Sequence, residues 1–220
     1  MNRLYPTAQS PIQQCSPAYQ IFGQDTLLLA GDDLAQIQQC AIIDLTHLPR
    51  VGFRGLDSAD FLTEHGFQVP EQPNSLCQQK DGSLVAKLSH YEYLLLGGLL
   101  NFGENVRTLE QDWRADGRAN YLLARQDSHA WIQLTGHHIA QVMAKLCAVD
   151  LSADAFSVGQ VVQTSIARIN GIILNVSDLQ TQKFNILCDR AAALYLWQVL
   201  LDAIAEFGGK AAGVDALLNP

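Results

Sequence analysis

The stretch THLPRVGFRGLDSADFL, Thr46 to Leu62, can be laid on SHAWIQLTGHHIAQVM, Ser128 to Met143, if one residue is dropped. Thr46-His47 then meets Ser128-His129, Val51 meets Ile132, Phe53 meets Leu134, Gly55 meets Gly136, and Phe61-Leu62 meets Val142-Met143. Each copy reads as a strand, a glycine turn and a helix, because apolar residues first alternate and then recur three and four apart. A second match follows in the same order: EYLLL (Glu92 to Leu96) meets FNILC (Phe184 to Cys188), each followed by a helix. Two matches in one order predict a twofold duplication in which each unit completes the other's core. The expected organisation is a polar arm over residues 1–25, rich in Gln, Ser and Pro, and then one α+β domain over 26–212. Its two pseudo-repeats cover about 26–115 and 116–212.

Working outward, AIIDL (Ala41 to Leu45) predicts a strand, and Asp32 to Gln39 predicts one or two helical turns with Leu34 and Ile37 inward. Val51, Phe53 and Gly55 alternate as in a half-buried strand. Asp57 can cap a helix that Gly66 ends in the left-handed conformation. Leu84 to Leu88 and Tyr91 to Leu96 predict a hairpin, Glu104 to Arg114 a helix, and Tyr121 to Ala124 a strand. Ile139, Val142, Met143 and Leu146 carry helical spacing. Val161 to Arg168 and Ile172 to Val176 predict strands turned at Asn170-Gly171, a dipeptide favoured in tight hairpins. Asp189 caps a helix with Ala193, Trp197, Leu200, Ile204 and Phe207 on one face, stopped by Gly208-Gly209.

The 220 residues are 48% hydrophobic and 16% charged, the balance of a globular chain. The formal net charge is -8, and no Lys/Arg cluster could track phosphates, which argues against nucleic acid and anionic membranes as partners. The longest apolar run, Ala191 to Leu201, is broken by Gln198 and too short to span a bilayer, and the first residues lack the apolar core of a signal peptide. Five cysteines without paired spacing point to reduced thiols in a cytoplasmic protein, with Cys188 in the core, rather than to disulfides or zinc.

The constellations that could carry chemistry are few. His137-His138 are adjacent at a helix start, so their side chains diverge and do not form a metal pair. Asp127-Ser128-His129 holds the residue types of a hydrolase triad, but neighbours on an extended segment alternate faces, and no G-x-S-x-G elbow is present. Gly97-Gly98 follows a strand without completing a dinucleotide or P-loop motif. No catalytic and no metal-binding residue is therefore assigned. His47, Arg50 and Arg54 form a basic set at the first strand of the repeat. Arg54 lies on the face opposite Val51 and Phe53; it is either a solvated or subunit-facing residue or a bidentate clamp for a carboxylate. Trp197 fits the helix stripe, whereas Trp131 either packs or lines a cavity. The ligand-binding candidates are Arg54, Trp131 and His47.

CAIIDLTHLPRVGFRGLDSADFL resembles the opening of the aminomethyltransferase folate-binding domain, known from the glycine-cleavage T-protein. VPEQPNSLCQQKDGSLVAKLSHYEYLLL, with Pro70, Pro73-Asn74, Asp81-Gly82 and Glu92 to Leu96, is similar to the gamma subunit of heterotetrameric sarcosine oxidase. So are DSHAWIQLTG, DLSADAFSVGQVVQTSIARI and ALYLWQVLLDAIAEFG, and the resemblance covers roughly residues 40 to 208. It implies two intertwined β-α-β repeats around a central cavity, and a place beside alpha, beta and delta subunits. That assembly demethylates sarcosine oxidatively to glycine and peroxide and passes the one-carbon unit to tetrahydrofolate. Flavin and nicotinamide nucleotide are expected on the other subunits, and tetrahydrofolate is the one ligand left open to this chain, with Arg54 a clamp for its glutamate tail. The catalytic relatives' N-A-x-x-x-x-x-D segment is replaced by Gly97-Gly98-Leu99-Leu100. Their G-Y-T-G-E signature is replaced by SIARINGIILN, and their extra C-terminal domain is not expected. The resemblance therefore implies a noncatalytic subunit; a free-standing folate-binding or aminomethyltransferase-like protein and a self-associating scaffold, a homo-oligomer when isolated, are the alternatives.

Overall fold

The structure, a computed structural model, describes residues 10–15, 19–22, 26–29 and 34–218. Strands β1 (Tyr19–Phe22) and β2 (Thr26–Leu29) form an antiparallel hairpin, followed by helix α1 (Leu34–Gln39) and strand β3 (Ala41–Asp44). Next come β4 (Arg50–Arg54), α2 (Ser58–Glu64), β5 (Ser75–Gln78), β6 (Leu84–Ser89), β7 (Glu92–Leu96), α3 (Glu104–Asp112) and β8 (Tyr121–Ala124). The chain continues through β9 (His129–Thr135), α4 (Ile139–Leu146), β10 (Val161–Ile166), β11 (Ile169–Asn175) and β12 (Lys183–Asp189). It ends with α5 (Ala193–Ala205), β13 (Lys210–Ala211) and α6 (Asp215–Leu218).

Two compact units result. Leu48–Gln126 and Gly159–Val162 make one, and the described residues of Met1–His47, Asp127–Val158 and Gln163–Pro220 make the other. The first holds a five-stranded sheet in the order β5-β6-β7-β4-β8, and the second a six-stranded sheet in the order β10-β11-β12-β9-β3-β13. In chain order, β4-α2-β5-β6-β7-α3 matches β9-α4-β10-β11-β12-α5 element for element. The strand beside the central one is exchanged: β3 precedes β4 but pairs with β9, while β8 precedes β9 but pairs with β4. Gly55 after β4 and Gly136 after β9 have φ values of 149° and 120°. A Cβ on Gly55 would lie 1.8 Å from the Ala119 oxygen, and one on Gly136 2.4 Å from the Gln39 oxygen. Each glycine thus lets the chain entering the exchanged strand pass directly over the turn.

In the first unit Val51, Phe53, Tyr93 and Leu95 line one side of the sheet, where Phe61 and Leu62 of α2 and Val106 and Leu109 of α3 complete the core. The Phe53 and Phe61 rings pack with centroids 5.1 Å apart. In the second unit Ile132, Leu134 and Ile186 are buried, as are Val142 and Met143 of α4 and Leu196, Trp197, Leu200 and Ile204 of α5. Burying one such side chain contributes about 1.5–3 kcal/mol, and this apolar stripe, more than helix propensity, holds α5 in place.

Several local expectations change. In α1 only Ile37 is inward; Leu34 is exposed, and Asp32 and Asp33 lie outside the described residues. Strand β4 is buried from Arg50 to Phe53 rather than half-buried. Asp57 precedes α2, but its carboxylate accepts the Ala119 N–H (2.7 Å) instead of capping the helix. The β10–β11 turn falls on Ala167 and Arg168, both at positive φ (49° and 69°), not on Asn170-Gly171. Gly171 is needed inside β11, because a Cβ there would lie 2.5 Å from Ile166 Cδ1. The second match also moves by one residue: Phe53 faces Tyr93 and Leu134 faces Phe184, so Tyr93, not Glu92, corresponds to Phe184. Of the N-terminal arm, residues 1–9, 16–18 and 23–25 lie outside the described residues; Ser10 and Ile12 are buried.

Candidate functional site

Arg54 closes β4 in the first unit. Its side chain is 63% exposed, and Nη2 lies 2.9 Å from Glu92 Oε2, directly across the β4–β7 ladder. The other Glu92 oxygen accepts from Arg125 Nη2 at 2.6 Å. Arg125 follows β8, the strand on the far side of β4, so one carboxylate is shared by two guanidiniums brought in by three strands. Arg125 Nε is buried and has no hydrogen-bond partner among the described residues. Gly52, two residues before Arg54, makes room for it: a Cβ there would lie 3.0 Å from Nε. Arg50 is fully buried, and its guanidinium donates to the carbonyls of Leu48 and Gln126, each at 3.0 Å, fixing the start of the strand.

His47 and Trp131 belong to the second unit. His47 is buried; its Nε2 accepts the Ser10 N–H at 3.1 Å, and the Tyr19 ring meets it edge-on at 6.0 Å. Beside it the fully buried Asp44 accepts from the Ser10 hydroxyl (2.6 Å), the Tyr19 hydroxyl (2.5 Å) and the Thr46 N–H (2.9 Å). Burial, and then the Asp44 charge, push the Tyr19 hydroxyl well above the ordinary phenol range. It therefore stays protonated and donates. His47 thus helps hold described residues of the N-terminal segment against β3.

Trp131 is buried in β9. Its backbone N–H donates to Thr46 Oγ1 at 3.0 Å, but the indole Nε1–H has no partner among the described residues. Gln133, two residues on and so on the same face of the strand, donates through Nε2 to Asn185 Oδ1 at 3.0 Å, while its Oε1 is buried and unpartnered there as well. The structure therefore places His47 and Trp131 in one unit, linked through Thr46, and leaves Arg54 in the other. An open groove of about 1000 Å³ runs along the β10–β11 hairpin, lined by Ser128, His129, Arg168, Asn170, Cys188 and Asp189. Contrary to the alternation argument, Ser128 Oγ and His129 Nδ1 do meet, at 2.8 Å; Ser128 precedes the strand, so strand alternation does not govern it. Asp189 is committed elsewhere, accepting the Ala191 N–H at 2.7 Å as the cap of the turn before α5. Among the described residues no three His, Cys, Asp or Glu side chains gather as around a metal ion, and no helix is long and apolar enough to cross a membrane. None of the five cysteines is in a disulfide, and Cys40, Cys147 and Cys188 are buried.

Two sheets of matching strand order, each with a helix after its central strand and another after the hairpin that follows, define an α+β protein of the aminomethyltransferase-like class. The model of the GCVT N-terminal domain matches residues 74–219, and the chain belongs to that family. It is similar to a chain of the heterotetrameric sarcosine oxidase from Corynebacterium sp. U-96, solved with pyrrole 2-carboxylate: 20% identity, TM-score 0.63, 77% of this chain and 86% of that one. It is also similar to the glycine cleavage system aminomethyltransferase T from Bartonella henselae, with 14% identity and a TM-score of 0.66 over 93% of this chain, spanning 58% of that enzyme's length. No curated protein matches it in sequence. At these identities the likeness shows the aminomethyltransferase-like fold. Sequence reasoning missed Glu92, Arg125, Gln133 and Asn185; an inward polar pair within apolar strands was the only signal for the last two.

Proposed function

We propose that this chain is a gamma-type, noncatalytic subunit of a cytoplasmic sarcosine-oxidase-like complex. There, sarcosine would be demethylated to glycine on flavin-bearing partners and the one-carbon unit passed to tetrahydrofolate. The observation that carries the proposal is the likeness over 86% of a chain from a heterotetrameric sarcosine oxidase. The residues Gly97-Gly98-Leu99-Leu100 and SIARINGIILN support the noncatalytic part, standing where the catalytic relatives carry their signatures. Alpha, beta and delta-type subunits are the proposed partners. Co-expression with the flavoprotein subunits of the same cell tests this: the chain is expected to elute with them, and elution alone refutes the proposal.

We also infer that the domain over 26–212 arose by duplication, with pseudo-repeats over about 26–115 and 116–212; the matching strand order and the paired glycines Gly55 and Gly136 support this. Arg54, Trp131 and His47 remain the proposed ligand-binding residues. A second reading, a free-standing folate-binding protein, is favoured by one observation: Trp131 Nε1–H and Gln133 Oε1 offer a donor and an acceptor, both buried and unpartnered among the described residues. A donor and an acceptor are what the polar edge of a heteroaromatic ring requires. Titration with tetrahydrofolate followed by tryptophan fluorescence decides it; a saturable change lost in Trp131→Phe supports it, and no signal at millimolar ligand rejects it.

A further inference from the structure

The first unit gathers two arginines around one carboxylate on a chain whose net charge is -8. Arg54 and Arg125 share the single carboxylate of Glu92, leaving one guanidinium charge unbalanced in the cluster. Arg125 Nε is buried without a partner among the described residues, which is costly for a charged donor. Arg54 engages Glu92 through Nη2, and its side chain is otherwise largely exposed. Tyr121, directly across the ladder from Arg54, is 62% exposed and flanks it with an aromatic ring and a hydroxyl. Because Glu92 is only 13% exposed and held from both sides, the two arginines are already oriented before a further anion arrives. A rigid fork of this kind suits a planar carboxylate.

We propose that Arg54 and Arg125, preorganised by Glu92 and bordered by Tyr121, form a binding site for a carboxylate supplied from outside the chain. This deepens the assignment of Arg54 as a ligand-binding residue but rests on the geometry of the first unit alone, so it stands or falls apart from the assembly proposed above. The carboxylate can belong to a small molecule or to an acidic side chain of a polypeptide, and the test separates these sources.

The full chain is titrated at low salt with glutarate and with a capped tetrapeptide carrying two glutamates, followed by NMR of the Tyr121 and Arg125 amides. Saturable shifts with glutarate alone point to a small-molecule ligand, with the peptide alone to a polypeptide, and with both to a site that reads the carboxylate itself. Arg54→Ala, at an exposed position, is expected to weaken binding about tenfold or more. Arg125→Ala, checked as folded by its NMR spectrum, is expected to weaken binding as well, because the fork then lacks its second guanidinium. No saturable shift with either probe, or shifts unchanged in Arg54→Ala or in a folded Arg125→Ala, overturns the proposal.

Discussion

A single methyl group on Gly55 would sit 1.8 Å from the Ala119 oxygen, and Gly55 also has a φ of 149° that side chains rarely adopt. Gly55→Ala is therefore expected to cost about 3 kcal/mol or more in urea unfolding, far beyond the cost of an exposed substitution. Gly136→Ala, 2.4 Å from the Gln39 oxygen, is expected to behave alike. Both glycines were legible in the sequence as aligned turn residues, but the backbone they admit was not, because each is crossed by a segment distant in the chain. Cys40 gives a pH signature. Burial pushes its thiol up to about 11, opposed by the Lys145 charge. An unfolded thiol ionises at about 8.5. Between these values the folded state keeps a proton that the unfolded state has lost, so this contribution is complete below the unfolded pKa and declines as pH rises through the window. Cys40→Ala is expected to flatten the alkaline slope of the unfolding free energy; an unchanged slope contradicts it.

At the scale of elements, the β10–β11 turn places Ala167 and Arg168 in the left-handed region, where side chains cost roughly 1–2 kcal/mol each. Replacing the pair by Asn-Gly is expected to raise the melting temperature, with a gain of about 1 kcal/mol, whereas Gly171→Ala is expected to lower it. The Asn170-Gly171 signal misled because the dipeptide has two physical uses: Gly171 serves close packing against Ile166, and turn chemistry is satisfied elsewhere. A second element-level test concerns the β5–β6 turn. Burial works to raise the Asp81 carboxyl, but hydrogen bonds from Ser83, Asn101 and Asn105 together hold it below the usual range. This stabilisation is present above the unfolded pKa of about 3.9 and is lost as pH falls through the folded value. Asp81→Asn is expected to destabilise the protein at pH 7 and to differ little from the parent at the acid limit.

At the scale of the molecule, the α+β class and both helix stripes could be read from periodicity, since the apolar faces of α4 and α5 stand out against polar neighbours. Strand register could not. Tyr93 to Leu96 are all buried, so no alternation marks which face is which, and a one-residue slip leaves the pattern unchanged. The exchange of β3 and β8 was invisible for another reason: strand partners far apart in sequence leave no local trace. The same distance hid Arg125 from Arg54, while Arg54 itself was legible as a charged residue on the face opposite Val51 and Phe53. The family and the fold follow from the match over residues 74–219 and from the two sheets; the place of the chain in an assembly is the central proposal. Native mass spectrometry of the chain isolated gently from its own cells tests it most directly. The account predicts a hetero-oligomer in which this chain travels with a larger, flavin-bearing subunit. A flavin-free species containing only this chain would contradict it.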